Sequence, residues 1–563
     1  MIEPDESPTT NAQPDGDGSK RRINIPAILL CAGMIALLAV ALAWLSNPGV
    51  NSAILFSSWV SFMAALGLAV LVLWAGWTLV RTSEHIHLPA KLPAWLAGLL
   101  VGAALLRLAL GVVWFTALPD LGHNTPQESA GYVMSDAAKR DQIAWKLSQA
   151  QRPLWLAFSS YRNADQYGGM LFISATIYRY LNLNQQLPHQ PLLMVVVCAA
   201  VSALAILFTW AFARRVWDDQ VSALAAWGMA LYPEVVLLGS SQMREAFLIP
   251  AVAAAFYGLA RLRREHTWSS LAWIAGAILL SLPFSPPTTA LLIAALAICA
   301  FAIRRDLFSA RRRRPWWVWV LGGAVVLIVL IGLYVSLQQF APPGTTNPVE
   351  VFSWWLRKST YLQAHFSKSA SGWVQKIFEL IPAWAQSPFL VAYGVIRPFL
   401  PAALVASSEA PVWTAITLWR AIGWSILLIF LVYALLRAWL EKETDPITKA
   451  LTVVIWLGIL IASLRGGGDQ DDNPRYRAAF ASIQVATAAW AYYAQRRSTD
   501  PVFRRALAGL SLFLAWMLLW YLRRRFDLPW VNADLFKTIG LGIASAVLFV
   551  IWDMARLSKV KDS

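Results

Sequence analysis

The sequence predicts an all-α polytopic membrane protein with about 12–14 transmembrane helices, and three observations carry that prediction. Of 563 residues, 58% are hydrophobic and 14% charged, with a mean hydropathy of +0.53; a water-soluble globule carries nearer a quarter of charged residues. The apolar residues fall in runs of about 20, each long enough to cross a hydrocarbon core of roughly 30 Å. Thirty tryptophans suit the membrane interface, where the ring sits among headgroups and the N–H stays wet. "RPWWVWV" (314–320) and "FSWWLRK" (352–358) read as such anchors, and the second also as an aromatic platform for a sugar.

Residues 1–22 open with "MIEPDESPTTNAQPDGDGSK", which is polar, acidic and rich in Pro and Gly, so a disordered cytoplasmic tail is expected. The apolar run beginning at Ile23 is too long for a signal peptide and lacks a small-residue cleavage site. Two spans fill 23–92, at 23–46 and 54–80. A core over 93–338 follows, with spans at 93–117, 192–213, 219–238, 245–262, 268–284, 287–304 and 315–338 around a loop at 118–191. A second loop occupies 339–413. The C-terminal part, 414–563, carries spans at 414–440, 447–465, 476–495, 505–522 and 535–556.

Charge sets the orientation. The net charge of +16 needs no nucleic-acid partner, because Lys and Arg sit mostly at the ends of apolar runs, as the positive-inside rule requires. "KRR" (20–22), "ARR" (213–215), "RLRR" (261–264), "RRDLFSARRRR" (304–314), "QRR" (495–497) and "KVK" (559–561) all fall on one side of fourteen alternating spans. Both termini are thus expected in the cytoplasm, in a plasma (inner) membrane. One cluster, "RRR" (523–525), falls on the far side. Either a late span is miscounted, which is the plainer reading, or these arginines meet an anionic group there.

Both long loops fall on the extracytoplasmic side, and residues spent outside the bilayer point to a site. In the first, "DAAKRDQIAWKLSQA" makes an amphipathic helix with Ala137, Ala144 and Leu147 on one side and Ser135 as its N-cap. "GGMLFISATIYRYL" (168–181) is apolar enough to lie along the membrane surface. Cys31, Cys198 and Cys299 lie singly inside apolar runs, so neither a structural disulfide nor a zinc site is expected. No P-loop, dinucleotide fingerprint or HExxH motif is present, and no internal symmetry of the transporter kind is visible.

The ionisable groups facing outward are few. The first loop offers Asp120, His123, Glu128, Asp136, Asp141 and Asp165. "YPEVVLLGSSQMREAF" (232–247) adds Glu234, Arg244 and Glu245, and "RGGGDQDDNPRYRAAF" (465–480) holds three Asp and three Arg. A carboxylate at a membrane surface can take a proton from an attacking hydroxyl. Arginines nearby can hold a phosphate, because the guanidinium fork matches its oxygens and stays charged. Such groups suit transfer from a lipid phosphate to a hydroxyl. Each also has a plainer reading: a solvated loop acid, a helix-end pair for Arg244 and Glu245, or snorkelling interfacial arginines for Arg475 and Arg477.

The layout resembles the GT-C superfamily of integral membrane glycosyltransferases, in the branch of protein mannosyltransferases and aminoarabinose transferases. "SDAAKRDQIAWKL" resembles the acidic motif and helix of the family's first extracytoplasmic loop, and "ADQYGGMLFISATIYRYL" the segment leading to the next span. "ARRVWDDQVSALAAWGMALYPEVVLLGSSQMREAFLIPAVAAAFYGLARLRRE" (213–265) matches a basic turn, a small-residue helix, a Pro and a Ser/Arg/Glu turn. "NPRYRAAFASIQVATAAWAYY" resembles the Arg-Tyr-Arg start of a late span. The likeness covers roughly 93–304, and 447–495 more loosely; the two spans before residue 93 are additional.

The resemblance implies a GT-C-like fold and a hexosyl or pentosyl transferase that takes sugar from a polyprenyl-phosphate carrier. It makes Asp136 the candidate base. The family usually places a second acid beside it, where this chain has Ala137, which leaves the role open to Asp141 or Asp165. It implies substrate contacts from Arg244, Glu245, Arg475 and Arg477. Some members hold a divalent ion (Mg or Mn) with loop acids, here Asp136 with Asp165; many use none. Two other readings stand beside it. An O-antigen ligase or polymerase would use Arg357, Lys358, His365 and Arg397 of the second loop. A lipid-linked sugar transporter or scaffold would do no chemistry.

Overall fold

The computed structural model describes residues 25–85, 92–161, 163–182, 187–265, 268–308, 316–338, 341–355, 357, 377–405, 408, 410–466, 474–498, 501–529 and 534–561. Among them there is no strand. The helices are α1 (Ile25–Ser46), α2 (Ser52–His85), α3 (Ala94–Leu121), α4 (Pro126–Ser129), α5 (Ser135–Gln149), α6 (Gly169–Leu181), α7 (Pro191–Val216), α8 (Asp219–Leu231), α9 (Pro233–Gly239), α10 (Glu245–Glu265), α11 (Trp268–Ser281) and α12 (Pro286–Ala302). They continue as α13 (Arg304–Phe308), α14 (Trp316–Gln338), α15 (Ala383–Ile396), α16 (Leu400–Val405), α17 (Pro411–Leu440), α18 (Pro446–Gly466), α19 (Arg475–Ala478), α20 (Ala481–Arg497), α21 (Val502–Phe526) and α22 (Leu535–Lys561).

Each of the fourteen apolar runs coincides with a helix or, in two cases, a pair. Nine helices among the described residues are long and apolar enough to cross a membrane, and α8 with α9 forms a tenth, bent by 52°. Helices α11, α12 and part of α14 are apolar but shorter. The chain is a multi-pass membrane protein. Its centre is α7 and α10, whose most apolar windows are 89% and 100% buried, while α21 and α22 are only 11% buried and form the periphery.

The bend between α8 and α9 has a local cause. Pro233 has no N–H and forces Tyr232 out of helical geometry; Tyr232 sits at φ −61°, ψ 118°. The carbonyl that Pro233 should have served is that of Met229, four residues back. Arg107, fully buried in α3, donates to it instead, Nη2 to O at 3.0 Å. A proline and an arginine 126 positions apart in the chain thus make one feature, because an unserved carbonyl in an apolar core is costly. Beyond the bend, Glu234 accepts from Nε and Nη2 of Arg420 on α17, at 2.8 and 3.1 Å. Pro233 lies against Gly423, where a Cβ would come within 2.5 Å of its ring.

Both members of the Glu234–Arg420 pair are under 5% exposed. Replacing Arg420 with Met leaves a buried, unpaired carboxylate, and removing one partner of such a pair costs about 3–5 kcal/mol. We expect the thermal midpoint of the purified protein to fall markedly in R420M and to recover largely in the double variant R420M/E234L. Equal midpoints for wild type and R420M would show that the pair carries no stability.

Polar contacts collect at two ends, as alternating spans require. At one end Arg215 binds Glu84 at 2.7 Å and also Glu265. Arg263 bridges Asp306 and Asp445, both at 2.7 Å, and Arg497 reaches Asp218 at 3.0 Å. At the other end lie the turns between α3 and α7, between α9 and α10, between α11 and α12, and those around α16 and α19. There Gly169 N–H donates to the Pro283 carbonyl at 3.0 Å, with no room for a Cβ at Gly169. The Arg523–Arg525 cluster belongs to this second end, since Tyr521 lies 6.4 Å from Phe399 in the turn before α16.

Candidate functional site

Helix α5 begins one residue earlier than its predicted cap implies: Ser135 is its first residue, and Met134 is the extended residue before it. Ala137, Ala138, Ala144 and Leu147 are buried. Asp136 and Arg140, four apart, share a face, and that face forms a cluster with residues brought from the turn after α9 and from α19.

Asp136 is the exposed member, with 53% of its side chain accessible, and its Oδ2 accepts from Arg475 Nη2 at 3.0 Å. Arg475 also lies over the Tyr476 ring at 5.1 Å. Arg140 donates to the Gln242 carbonyl at 3.2 Å and lies 3.9 Å from Asp165. Arg244 sits 3.5 Å from Glu245 and 5.2 Å above Tyr167. Partial burial tends to raise the Asp136 pKa. The charge and hydrogen bond of Arg475, then the charges of Arg140 and Arg244, outweigh that and hold the carboxyl below its usual range. Asp136 is therefore ionised at neutral pH, with one guanidinium bonded to it and two more acting on its charge.

The structure thus brings together Asp136, Asp165, Arg244, Glu245 and Arg475. Their roles differ by geometry. Asp165 is buried and accepts from Leu171 N–H at 3.0 Å, so it caps the start of α6. The chain reaches that start through Gly168 at φ +81°, a left-handed conformation that favours glycine. Glu245 begins α10 and is buried beside Arg244.

Asp141 is not in the cluster. It points to another face of α5, is 1% exposed, and accepts from Tyr132 at 2.7 Å and from Tyr178 at 2.7 and 2.8 Å. His189 Nε2 lies 2.9 Å away. Burial, with the Asp141 charge, pushes both phenols up. With its oxygens shared among these groups, Asp141 ties α5 to α6. Arg477 also turns away from Asp136. Its guanidinium stacks on Trp424 at 3.3 Å and donates to the carbonyls of Arg397 at 2.6 Å and Gly394 at 3.4 Å.

Among the other loop groups, Glu128 closes a capping box on α4 with Thr125 and accepts from Trp413 Nε1 at 2.5 Å. These bonds, with those from His123 and Thr125 N–H, outweigh its burial and hold its carboxyl low. His123 meets Ser408 at 3.1 Å. Arg357 lies over Trp354. Lys358, His365 and the three aspartates of 465–480 lie outside the described residues, as does the 1–22 tail. The three cysteines are unpaired.

Arg140, Tyr167, Gln242 and Tyr476 were missed in the sequence. For Arg140 a signal existed, its place four residues after Asp136. Ala137, beside Asp136, faces a small cavity shared with Trp114, Val195 and Ser240. No group of three His, Cys, Asp or Glu side chains among the described residues is arranged to hold a metal. Both Asp165 oxygens accept backbone N–H groups, from Tyr167 at 3.4 Å and Leu171 at 3.0 Å, and one Asp136 oxygen is bonded to Arg475.

No protein-family model and no curated protein matches the chain. Solved structures do. The archaeal oligosaccharyltransferase AglB from Archaeoglobus fulgidus, in complex with an inhibitory peptide and a dolichol-phosphate, is 16% identical, with a TM-score of 0.38 over 80% of this chain and 56% of that one. The Archaeoglobus fulgidus oligosaccharyltransferase in complex with Zn and sulfate is 15% identical, with a TM-score of 0.39 over 80% and 53%. This chain therefore spans little more than half the length of each. That degree of likeness leaves every role above resting on the side chains themselves.

Proposed function

We propose that this chain is a glycosyltransferase that moves a hexosyl or pentosyl unit from a polyprenyl-phosphate carrier to a hydroxyl acceptor, on the extracytoplasmic face of the plasma (inner) membrane. The observation that carries this reading is the half-exposed Asp136 carboxylate paired with Arg475 and under the charge of Arg140 and Arg244. A catalyst of this transfer has two charges to handle. The leaving polyprenyl phosphate gains negative charge as its bond to the sugar breaks, and preorganised guanidiniums stabilise it. The acceptor hydroxyl loses a proton as its oxygen bonds to the anomeric carbon. Asp136 accepts that proton, and the released phosphate or water later removes it.

Asp136 is a weak base, because its arginines hold its pKa low. Such a carboxylate orients the hydroxyl by accepting its hydrogen bond and takes the proton late, when the sugar–phosphate bond is largely broken. The arrangement therefore suits a reaction led by departure of the phosphate. The Arg475–Asp136 bond makes the coupling direct, since one guanidinium touches the base and can also face the phosphate.

Incubation of the purified chain in proteoliposomes with radiolabelled polyprenyl-phosphate sugars tests this class. Label should leave the carrier and appear on an added acceptor, with polyprenyl phosphate released in equal amount. A carrier left intact across hexosyl and pentosyl donors, in the presence of membrane-lipid and glycan acceptors, would overturn the proposal.

A further inference from the structure

A long apolar slot of about 640 Å³ runs between α15, α16, α17, α21 and α22. On α21 its lining extends from Val502 to Tyr521, which at 1.5 Å per residue is about 28 Å. That matches the full hydrocarbon thickness of roughly 30 Å. Toward the far end its lining includes Tyr433 and Phe503, ring to ring at 4.9 Å. At the end shared with Asp136 its lining includes Tyr393 and Trp520, and each carries a guanidinium on its face. Arg397 lies 5.4 Å from the Tyr393 ring and Arg524 lies 5.5 Å from the Trp520 ring.

We infer that this slot binds the tail of a single long-chain polyprenyl phosphate, with Arg397 and Arg524 at its mouth receiving the anionic head. Apolarity alone would not select an occupant, since bilayer tails are as apolar as leucine. Length selects it. The acyl chains of one leaflet reach only to the midplane, about half the slot, whereas a polyprenyl chain can fill it from end to end. Charge agrees, because a phosphate head at that depth meets two guanidiniums. The mouth also has a built connection to Asp136. Within the single turn of α19, Arg475 binds Asp136 while Arg477 binds the carbonyls of Gly394 and Arg397 at the end of α15, the helix whose Tyr393 and Ile396 line the slot. The slot therefore makes carrier chain length a determinant of binding. This inference rests on the transferase reading for the chemistry of its head group.

The test measures binding without turnover. The full-length purified protein is labelled with a photoactivatable long-chain polyprenyl phosphate, and the labelled peptides are mapped. Label is expected on 502–521 and 425–436, reduced by excess unlabelled long-chain polyprenyl phosphate, and not reduced by equal amounts of farnesyl phosphate or dioleoylphosphatidylglycerol. Leu510→Trp, which fills the slot, and Arg524→Glu, on an exposed side chain, should each lower that labelling about tenfold or more. Equal competition by phosphatidylglycerol would show an ordinary lipid crevice and overturn the inference, as would label elsewhere or unchanged labelling in both variants. Labelling of the slot in a protein that transfers no sugar would sink the transferase and keep the slot. Transfer with no label in the slot would do the reverse.

Discussion

Asp136→Asn should reduce sugar transfer by about 10²–10⁴-fold, the range that a positioned proton acceptor contributes. The change is nearly isosteric, and the site tolerates it structurally. The residue is half exposed, and its one described hydrogen bond comes from Arg475, which the amide oxygen can still accept. Folding should therefore be preserved, and the loss should fall on kcat. The measurement is the initial rate of label transfer from a polyprenyl-phosphate sugar in proteoliposomes, beside a size-exclusion profile of the variant. Asp141→Asn makes the contrast. Its carboxylate holds two phenols and faces His189 in the interior, so its loss should appear first as lowered thermal stability. Full activity in D136N would remove Asp136 from the mechanism.

These two aspartates show what the sequence could and could not disclose. The fourteen apolar runs were legible because length and hydropathy are local properties, and each became helical. The separation of Asp136 from Asp141 was also legible, since five residues turn a helix well away from its starting face. The meeting of Asp136 with Arg475 was not, because it joins positions 339 apart and a lone charge carries no periodicity. Nor was the divergence of Arg475 from Arg477. Both stand in one short motif, yet α19 sends the first to Asp136 and the second to Trp424 and the end of α15. The bend at Pro233 was half legible: the proline was visible, but Arg107, which serves the freed Met229 carbonyl, looked like one charge in an apolar run.

Arg475 should prove as consequential as Asp136, by a different kinetic route. It is 7% exposed and bonds Asp136 at 3.0 Å. Its removal deletes a positive charge from the place where leaving-group charge develops. Removing one donor aimed at charge that develops in the transition state costs about 3–4 kcal/mol, or roughly 100- to 1000-fold in rate. Arg475→Ala should show this loss, with residual turnover that can be titrated. In the wild type the Asp136 pKa lies below its ordinary value of 3.8. The ionised form, and the activity that needs it, therefore persists above that value and disappears only as pH falls through the lowered pKa. In Arg475→Ala the largest lowering influence is gone, while partial burial still raises the pKa against Arg140 and Arg244. The acid limb should therefore move to higher pH. Arg475→Lys keeps the charge but loses the planar fork, so its limb should stay near the wild-type position while kcat/KM falls. A purely structural Arg475 would lower the rate of both variants and leave the limb where it was. That outcome would separate the arginine from the chemistry at Asp136.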